Sequence, residues 1–372
     1  MRSRTLAFVG AALVGICTLF AVGAPGAAAK GGGGSGGGTP VDTGKIYFFS
    51  LWTPSEKTWV INPDGSGLGQ ITAVPESAVA SRGLHGSKRW FAMFLPTGIG
   101  THPDIGQAHH ELFVCDQDGG NLTQLTADAA VEAEVAYPWF SKGPRIVWVG
   151  EATAADARIS YVAHRWDATT QAYTDVGIHY VTVTWDAQGC VSNPTAVSPT
   201  YLSHVPQIAS SRTMNGQTFA ICNVEYDWKP DGSEVVYMTW APASPNALWI
   251  ERRKAWEPSS PQRLADGARV PTWSPDETRI AFSSAQGTVV TVNASDGSNP
   301  FTVVTGSNKG GRSNYVAVGC PVWSPRGTHL VYTRETITST GTAYELCRIG
   351  ADGSGNTRLT TIRGDNVVVW RP

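Results

Sequence analysis

PTWSPDETRIAFSS (271–284) is the stretch that the rest of the chain keeps rewriting. YDWKPDGSEVVYMTW (226–240) and PVWSPRGTHLVYTRE (321–335) repeat it, and YPWFSKGPRIVWVGE (137–151) repeats it more loosely. Each holds a Trp, a short polar turn and then an alternating apolar run. Alternation marks a half-buried strand, and Pro, Asp and Gly before it make the entering turn. Behind the strands stands a second signature: INPDGSGLGQIT (61–72), CDQDGGNLTQLT (115–126), NASDGSNPFTVV (293–304) and GADGSGNTRLT (350–360). Asp-Gly there supplies the positive-φ corner that joins two antiparallel strands. Units of four short strands repeated along a chain predict an all-β β-propeller.

The turn sets the register. Trp139, Trp228, Trp273, Trp323 and Trp370 share one anchor position, and the fourth residue after it is Gly143, Gly232, Glu277 and Gly327 in the first four. From Trp228 onward the anchors are 45, 50 and 47 residues apart, the length of a propeller blade. An earlier unit, SRGLHGSKRWFAMF (81–94), fits with Gly86 as the turn glycine and Arg82 in place of the Trp. The chain ends in NVVVWRP (366–372), which stops at the turn where VDTGKIYFFS (41–50) begins. Joined, they make one repeat, so the C-terminal strand is expected to complete the N-terminal blade and close the ring without an exposed edge. The expected units are 365–372 with 42–72, then 76–126, 134–188, 220–265, 268–305 and 315–360, six blades in one domain over 42–372. Three stretches interrupt the rhythm and are expected as long polar loops: 96–110, 189–216 and 308–314.

Residues 1–29 carry the marks of a secretory signal peptide: Arg2 and Arg4, an uncharged apolar run over 6–22, and Ala27-Ala28-Ala29 as a cleavage site. A glycine-rich tether follows over 30–41. The protein is therefore expected to be secreted or periplasmic, with no membrane attachment after cleavage. Lys and Arg number 28 against 30 Asp and Glu, a net charge of −2, which does not provide the clustered basic surface of a nucleic-acid groove. Cys115, Cys190, Cys222, Cys320 and Cys347 follow the signal; no CxxC spacing occurs, and an exported chain has room for one or two disulfides.

The string WSPDETRIAF (273–282), followed about twenty residues on by a DG turn, resembles the TolB-type propeller repeat. Variants stand at 228–232 and 323–327, and Leu125-Thr126 and Leu359-Thr360 close their units. The resemblance covers 42–372. It implies a six-bladed ring and leaves function open, since this fold hosts many. TolB carries an α/β domain ahead of its propeller; here the glycine tether stands there, so a stand-alone propeller is expected.

In that repeat family a polar residue often stands five places before the anchor Trp, where the innermost strand enters the channel mouth. Glu134, Asn223 and Asp365 hold that place, and Glu225 and Arg269 lie near the same level. They are the candidate ligand-binding residues, since carboxylates there could hold a cation or a basic group. For metal, His102, Asp104, His109, His110 and Glu111 have suitable side chains, but neighbours on a strand point to opposite sides, so no metal or other cofactor is expected. His85, His164, His179, His204 and His329 fall in separate units and no Ser is fixed beside one of them, so no catalytic residues are assigned. The resulting expectation is a monomeric platform that binds a protein or small-molecule ligand at a propeller face. The alternative is a propeller lyase or hydrolase with its site at the channel mouth.

Overall fold

The computed structural model describes residues 43–371, apart from 51–56, 73–78, 86–87, 102–107, 117–119, 134–144, 149–155, 171, 185–194, 204, 206–208, 215–216, 223–224, 242–243, 309–313 and 363–364. The expected signal peptide and tether, and the candidate residues His102, Asp104, Glu134 and Asn223, lie outside the described residues.

Every described regular element is a strand. Sheet A is ordered Asp365–Arg371, Lys45–Ser50, Lys57–Ile61, Gly69–Ile71, and sheet B is Val79–His85, Lys88–Thr101, Ala108–Asp116, Thr123–Gln124. Sheet D runs Tyr226–Trp228, Glu234–Ala241, Ser244–Lys254, Gln262–Asp266, and sheet E runs Ala268–Trp273, Arg279–Ser284, Thr288–Asn293, Phe301–Thr305. Sheet F holds Asn314–Trp323, His329–Thr338, Gly341–Gly350 and Thr357–Thr360, with the two-residue strand Ser307–Asn308 ahead of them. These five are antiparallel meanders, each the blade of an all-β propeller.

Sheet C departs from the plan. Val131–Ala133 and Arg145–Trp148 both pair with the same edge of Asp156–Asp167, which continues to Ala172–Thr184 and Thr200–Tyr201. The expectation of six blades is thus corrected to five, because in the third unit two short segments share one edge. A separate hairpin, Ala209–Met214 with Gln217–Cys222, stands between sheets C and D in the chain.

The two signatures form the turns expected of them. After Trp273, the Ser274 amide donates to the Arg279 carbonyl at 2.9 Å and the Glu277 amide to the Ser274 carbonyl at 3.0 Å. Lys229 with Gly232, and Ser324 with Gly327, repeat the pattern. The fourth position has φ of +72°, +62° and +71° at Gly232, Glu277 and Gly327, so Glu277 alone of the three holds this corner with a side chain. In the DG turns, Asp64, Asp296 and Asp352 each accept the amide of the Ser two residues on at 2.9 Å. The hydroxyl of that Ser, and after it this amide, hold each carboxyl below its usual range.

Apolar clusters lie between neighbouring sheets. Ala92 and Val114 of B meet Ile159 and Val181 of C; Ile178 of C meets Trp228 and Tyr237 of D. Val236 and Ile250 of D meet Trp273 and Phe282 of E, and Val289 of E meets Trp323 and Tyr332 of F. Val331 and Leu346 of F pack on Ile46, Phe48 and Trp370 of A, and Tyr47 of A packs on Cys115 of B. The anchor residues Trp228, Trp273, Trp323 and Trp370 are all buried in these seams. Full burial of such a ring is worth about 3–5 kcal/mol against Ala. Trp370 arrives on the C-terminal strand, whose register runs Lys45↔Arg371, Ile46↔Trp370, Tyr47↔Val369.

Two expectations about connections change. Residues 96–101 and 108–110, read as polar loop, extend the sheet B hairpin through Pro96↔His110 and Thr101↔Ala108. Pairing satisfies backbone groups that a free loop would leave to solvent. Within 189–216 likewise lie the strand Thr200–Tyr201 and the start of the separate hairpin. Cys115, Cys320 and Cys347 take part in no disulfide, and burial pushes the Cys347 thiol up to about 11.

Candidate functional site

In a four-stranded meander, the first and third turns fall at one end of the sheet. The second turn and the passage to the next sheet fall at the other. The WSPD and DG turns therefore share one face of the regular blades. The opposite face receives the starts of the innermost strands, the hairpin end of sheet B at 96–101 and 108–110, and Ser307–Asn308 with the start of Asn314–Trp323 in the E–F passage.

Glu225 and Arg269 come together on that face. Glu225 directly precedes the inner strand of D, and Arg269 is the second residue of the inner strand of E. Their carboxylate and guanidinium approach to 3.6 Å, with Glu225 only 3% exposed. The second carboxylate oxygen of Glu225 accepts the Val270 amide at 2.6 Å. That amide needs an outside acceptor because the strand bulges there: pairing with the second strand of E shifts register between Arg269 and Thr272, and Val270 has φ of +49°. A β-branched residue at positive φ is strained and persists only where its surroundings hold it. Below it, Asp227 accepts the Thr272 hydroxyl at 2.8 Å and the Trp273 amide at 3.0 Å.

Sheet F repeats the device with other chemistry. Its inner strand shifts register between Gly319 and Val322, Cys320 has φ of +53°, and the Cys320 amide donates to Ser283 Oγ of sheet E at 2.8 Å. Each bulge is thus capped from the preceding sheet, by a carboxylate at D–E and a hydroxyl at E–F. Both bulges lie three residues before the anchor Trp, as does Glu225 itself.

Of the other expected mouth residues, Asp365 opens the strand Asp365–Arg371 and pairs through its backbone with Phe49. In sheets E and F the place five before the Trp is taken by Ala268 and Val318, both buried in the seams between sheets. The polar ring read at Glu134, Asn223 and Asp365 therefore does not extend to these two blades. Glu111, from the metal candidates, is buried and accepts the Thr126 hydroxyl and the Asp128 amide, the latter at 3.0 Å. No group of three or more His, Cys, Asp or Glu able to hold a metal occurs among the described residues.

Sequence reading missed a polar cluster at the B–C seam. Asp128 accepts Arg165 Nη2 at 3.0 Å and the Ser198 hydroxyl, and Arg165 Nε lies 3.5 Å from Asp175. The Ser198 hydroxyl and the Arg165 guanidinium hold the Asp128 carboxyl below its usual range although burial opposes them. Near it His179, 1% exposed, donates Nδ1–H to the Gly177 carbonyl at 3.3 Å and lies between Tyr161 and Tyr201. Burial pushes its imidazole down to about 4. Ser198 and Asp128 are 70 residues apart in sequence, with no motif linking them.

No protein-family model matches the chain, and no curated protein matches it. Among solved structures, it is similar to an oligogalacturonate lyase in complex with manganese, at 12% identity over 86% of this chain and 74% of that one, with a TM-score of 0.39. It is similar also to the hydrazine synthase of Kuenenia stuttgartiensis, at 10% identity over 90% of this chain and 48% of that one, TM-score 0.48. A third is the Dos1 propeller, at 8% identity over 86% and 68%, TM-score 0.30. Likeness this distant says nothing about what the chain binds or catalyses; the propeller fold rests on the chain's own sheets.

Proposed function

We propose that this is an exported, monomeric TolB-type propeller that binds a protein or small-molecule ligand on the face opposite its stereotyped turns. The observation that carries the reading is positional. Two departures from the repeat, the extended hairpin of sheet B and the E–F passage, leave from one face, while in the regular blades the other keeps near-identical turns. Variable segments on a rigid scaffold are where recognition concentrates. The Glu225–Arg269 pair lies on the same face and presents a partly exposed guanidinium to solvent.

The same proposal has sheets A to F forming a closed ring, sheet C its irregular member. Support comes from Ile46↔Trp370 pairing and from the F–A and A–B clusters. The export signal at 1–29 supports placement outside the cytoplasm. Glu225 is committed to an amide and a guanidinium, which favours binding over catalysis at this point of the mouth.

The test is a panel of peptides and oligosaccharides probed with the mature protein and with two loop variants, Gly-Ser replacements of 102–107 and 309–313. Binding lost in these variants, with melting temperature retained, is the expected result. Binding that survives both replacements but is lost on altering the turn face would overturn the assignment. Ligand turnover would favour the lyase or hydrolase alternative.

A further inference from the structure

The turn face offers an internal comparison between two equivalent seams. At D–E, the residue after the anchor Trp is Lys229, whose ammonium bridges Asp231 at 2.6 Å and Glu277 of the next sheet at 3.0 Å. At E–F, the corresponding residues are Ser274, Asp276 and Gly327. Two long side chains are gone while the central carboxylate remains. In their place is a groove of about 470 Å3 between the sheets, which Trp323 helps to line. Asp352 and the exposed ring of Phe301 also line it.

We propose that this groove takes the side chain of a lysine from a partner protein, in the place that Lys229 fills at the neighbouring seam. Three features fit that chemistry. Asp276 keeps the acceptor position that Asp231 uses towards Lys229; its Oδ1 accepts from Ser274 and Thr278. Asp352 adds a second carboxylate, and the one cation of the lining, Arg279, is directed by its Nη2 to the Thr291 hydroxyl and to two carbonyls. The aromatic wall suits the methylene stem of lysine, which packs on apolar surface while its ammonium reaches an acceptor. The site lies on the face opposite the one proposed above for ligand recognition and does not depend on that proposal.

The probe is N-acetyl-lysine methylamide, titrated against isotope-labelled protein, with N-acetyl-glutamate methylamide as control. The expected result is saturable shifts at the amides of Gly327, Ala351 and Asp352 with the lysine probe alone, weakened by salt. Asp276→Asn should weaken binding roughly tenfold, the loss of one charge-assisted contact. Because Asp276 also braces its turn, a second variant is needed: Ser274→Lys with Gly327→Glu rebuilds the bridge of the D–E seam and should abolish the shifts while the protein stays folded. Equal shifts with both probes, no shifts, or undiminished binding in the double variant would each overturn the proposal.

Discussion

Gly297 of sheet E lies against the Leu264 carbonyl of sheet D so closely that a Cβ there would stand 2.1 Å from its oxygen. The same DG glycine meets the preceding sheet twice more: a Cβ at Gly353 would stand 3.2 Å from the Val303 carbonyl oxygen, and one at Gly65 3.4 Å from that of Leu359. The Asp-Gly pair thus does more than turn a corner. It lets the turn of one sheet seat on the outer strand of the one before.

Substitution at these glycines should therefore be graded. All three have positive φ, which alone costs Ala about 1 kcal/mol. Gly297→Ala must also move a backbone carbonyl and should lose roughly 3 kcal/mol or more. Gly65→Ala should lose about 1 kcal/mol, with Gly353→Ala between them. Denaturant unfolding of the three variants checks the order; equal losses would show that the close approach at Gly297 is not what demands glycine.

The anchors separate packing from hydrogen bonding. Trp228 donates Nε1–H to Ser160 Oγ at 2.8 Å, whereas Trp273 Nε1 is buried with no acceptor among the described residues. Trp228→Ala and Trp273→Ala should each cost about 3–5 kcal/mol. Trp→Phe should divide them. At Trp228 it removes a donor from a buried hydroxyl and should cost about 1–2 kcal/mol more than at Trp273. Comparison of the two Phe variants by chemical denaturation measures that difference directly.

Glu225 tests the bulge. In Glu225→Ala the Val270 amide loses its acceptor and Arg269 its counter-charge, and about 2–4 kcal/mol should be lost. Glu225→Gln keeps an acceptor for the amide and should cost less than half as much. A Gln variant as unstable as the Ala variant would mean that charge, rather than the amide cap, holds the strand.

His179 makes stability depend on pH with a definite sign. Folded, its imidazole titrates near 4 because burial penalises the cation; unfolded, it titrates at 6.5. Between these values the unfolded chain binds the proton and the folded chain does not, so stability falls as pH falls from 6.5 to 4. The contribution lost by pH 4 is about 3 kcal/mol. His179→Phe, among Tyr161 and Tyr201, should flatten the unfolding free energy across that window. An unchanged slope would place the acid sensitivity elsewhere.

How much of this was legible follows from what repeats. Trp228, Trp273 and Trp323, with the positive-φ residue four places on, could be read from the sequence because local turn chemistry dictates both. Sheet C was not legible, since a strand edge shared by two segments 12 residues apart leaves no mark in local spacing. The bulges were missed for a related reason. Val270 and Cys320 are ordinary strand residues by propensity, and only the capping groups Glu225 and Ser283, 45 and 37 residues away, reveal them. The polar places read before Trp139, Trp228 and Trp370 have as their counterparts in E and F the apolar Ala268 and Val318, which are drawn into the seams.

The proposed ring closure gives the last prediction. Asp365–Arg371 supplies sheet A with one edge strand, placing Trp370 against Ile46 and the cluster it shares with Val331 and Leu346 of sheet F. Trp370 also donates to the Thr43 carbonyl at 3.4 Å, and Arg348 of F reaches the Pro63 carbonyl of A at 2.6 Å. Removing residues 365–372 would expose the backbone groups of Lys45–Ser50 along a whole edge and empty the Trp370 site. Burial of that ring alone is worth about 3–5 kcal/mol, a large share of the net stability of a typical domain. The truncated protein should therefore unfold or aggregate as a whole rather than fray at one end. Scanning calorimetry with light scattering distinguishes the outcomes. A monomer whose melting temperature is unchanged would show that the strand is dispensable and that the ring does not depend on it.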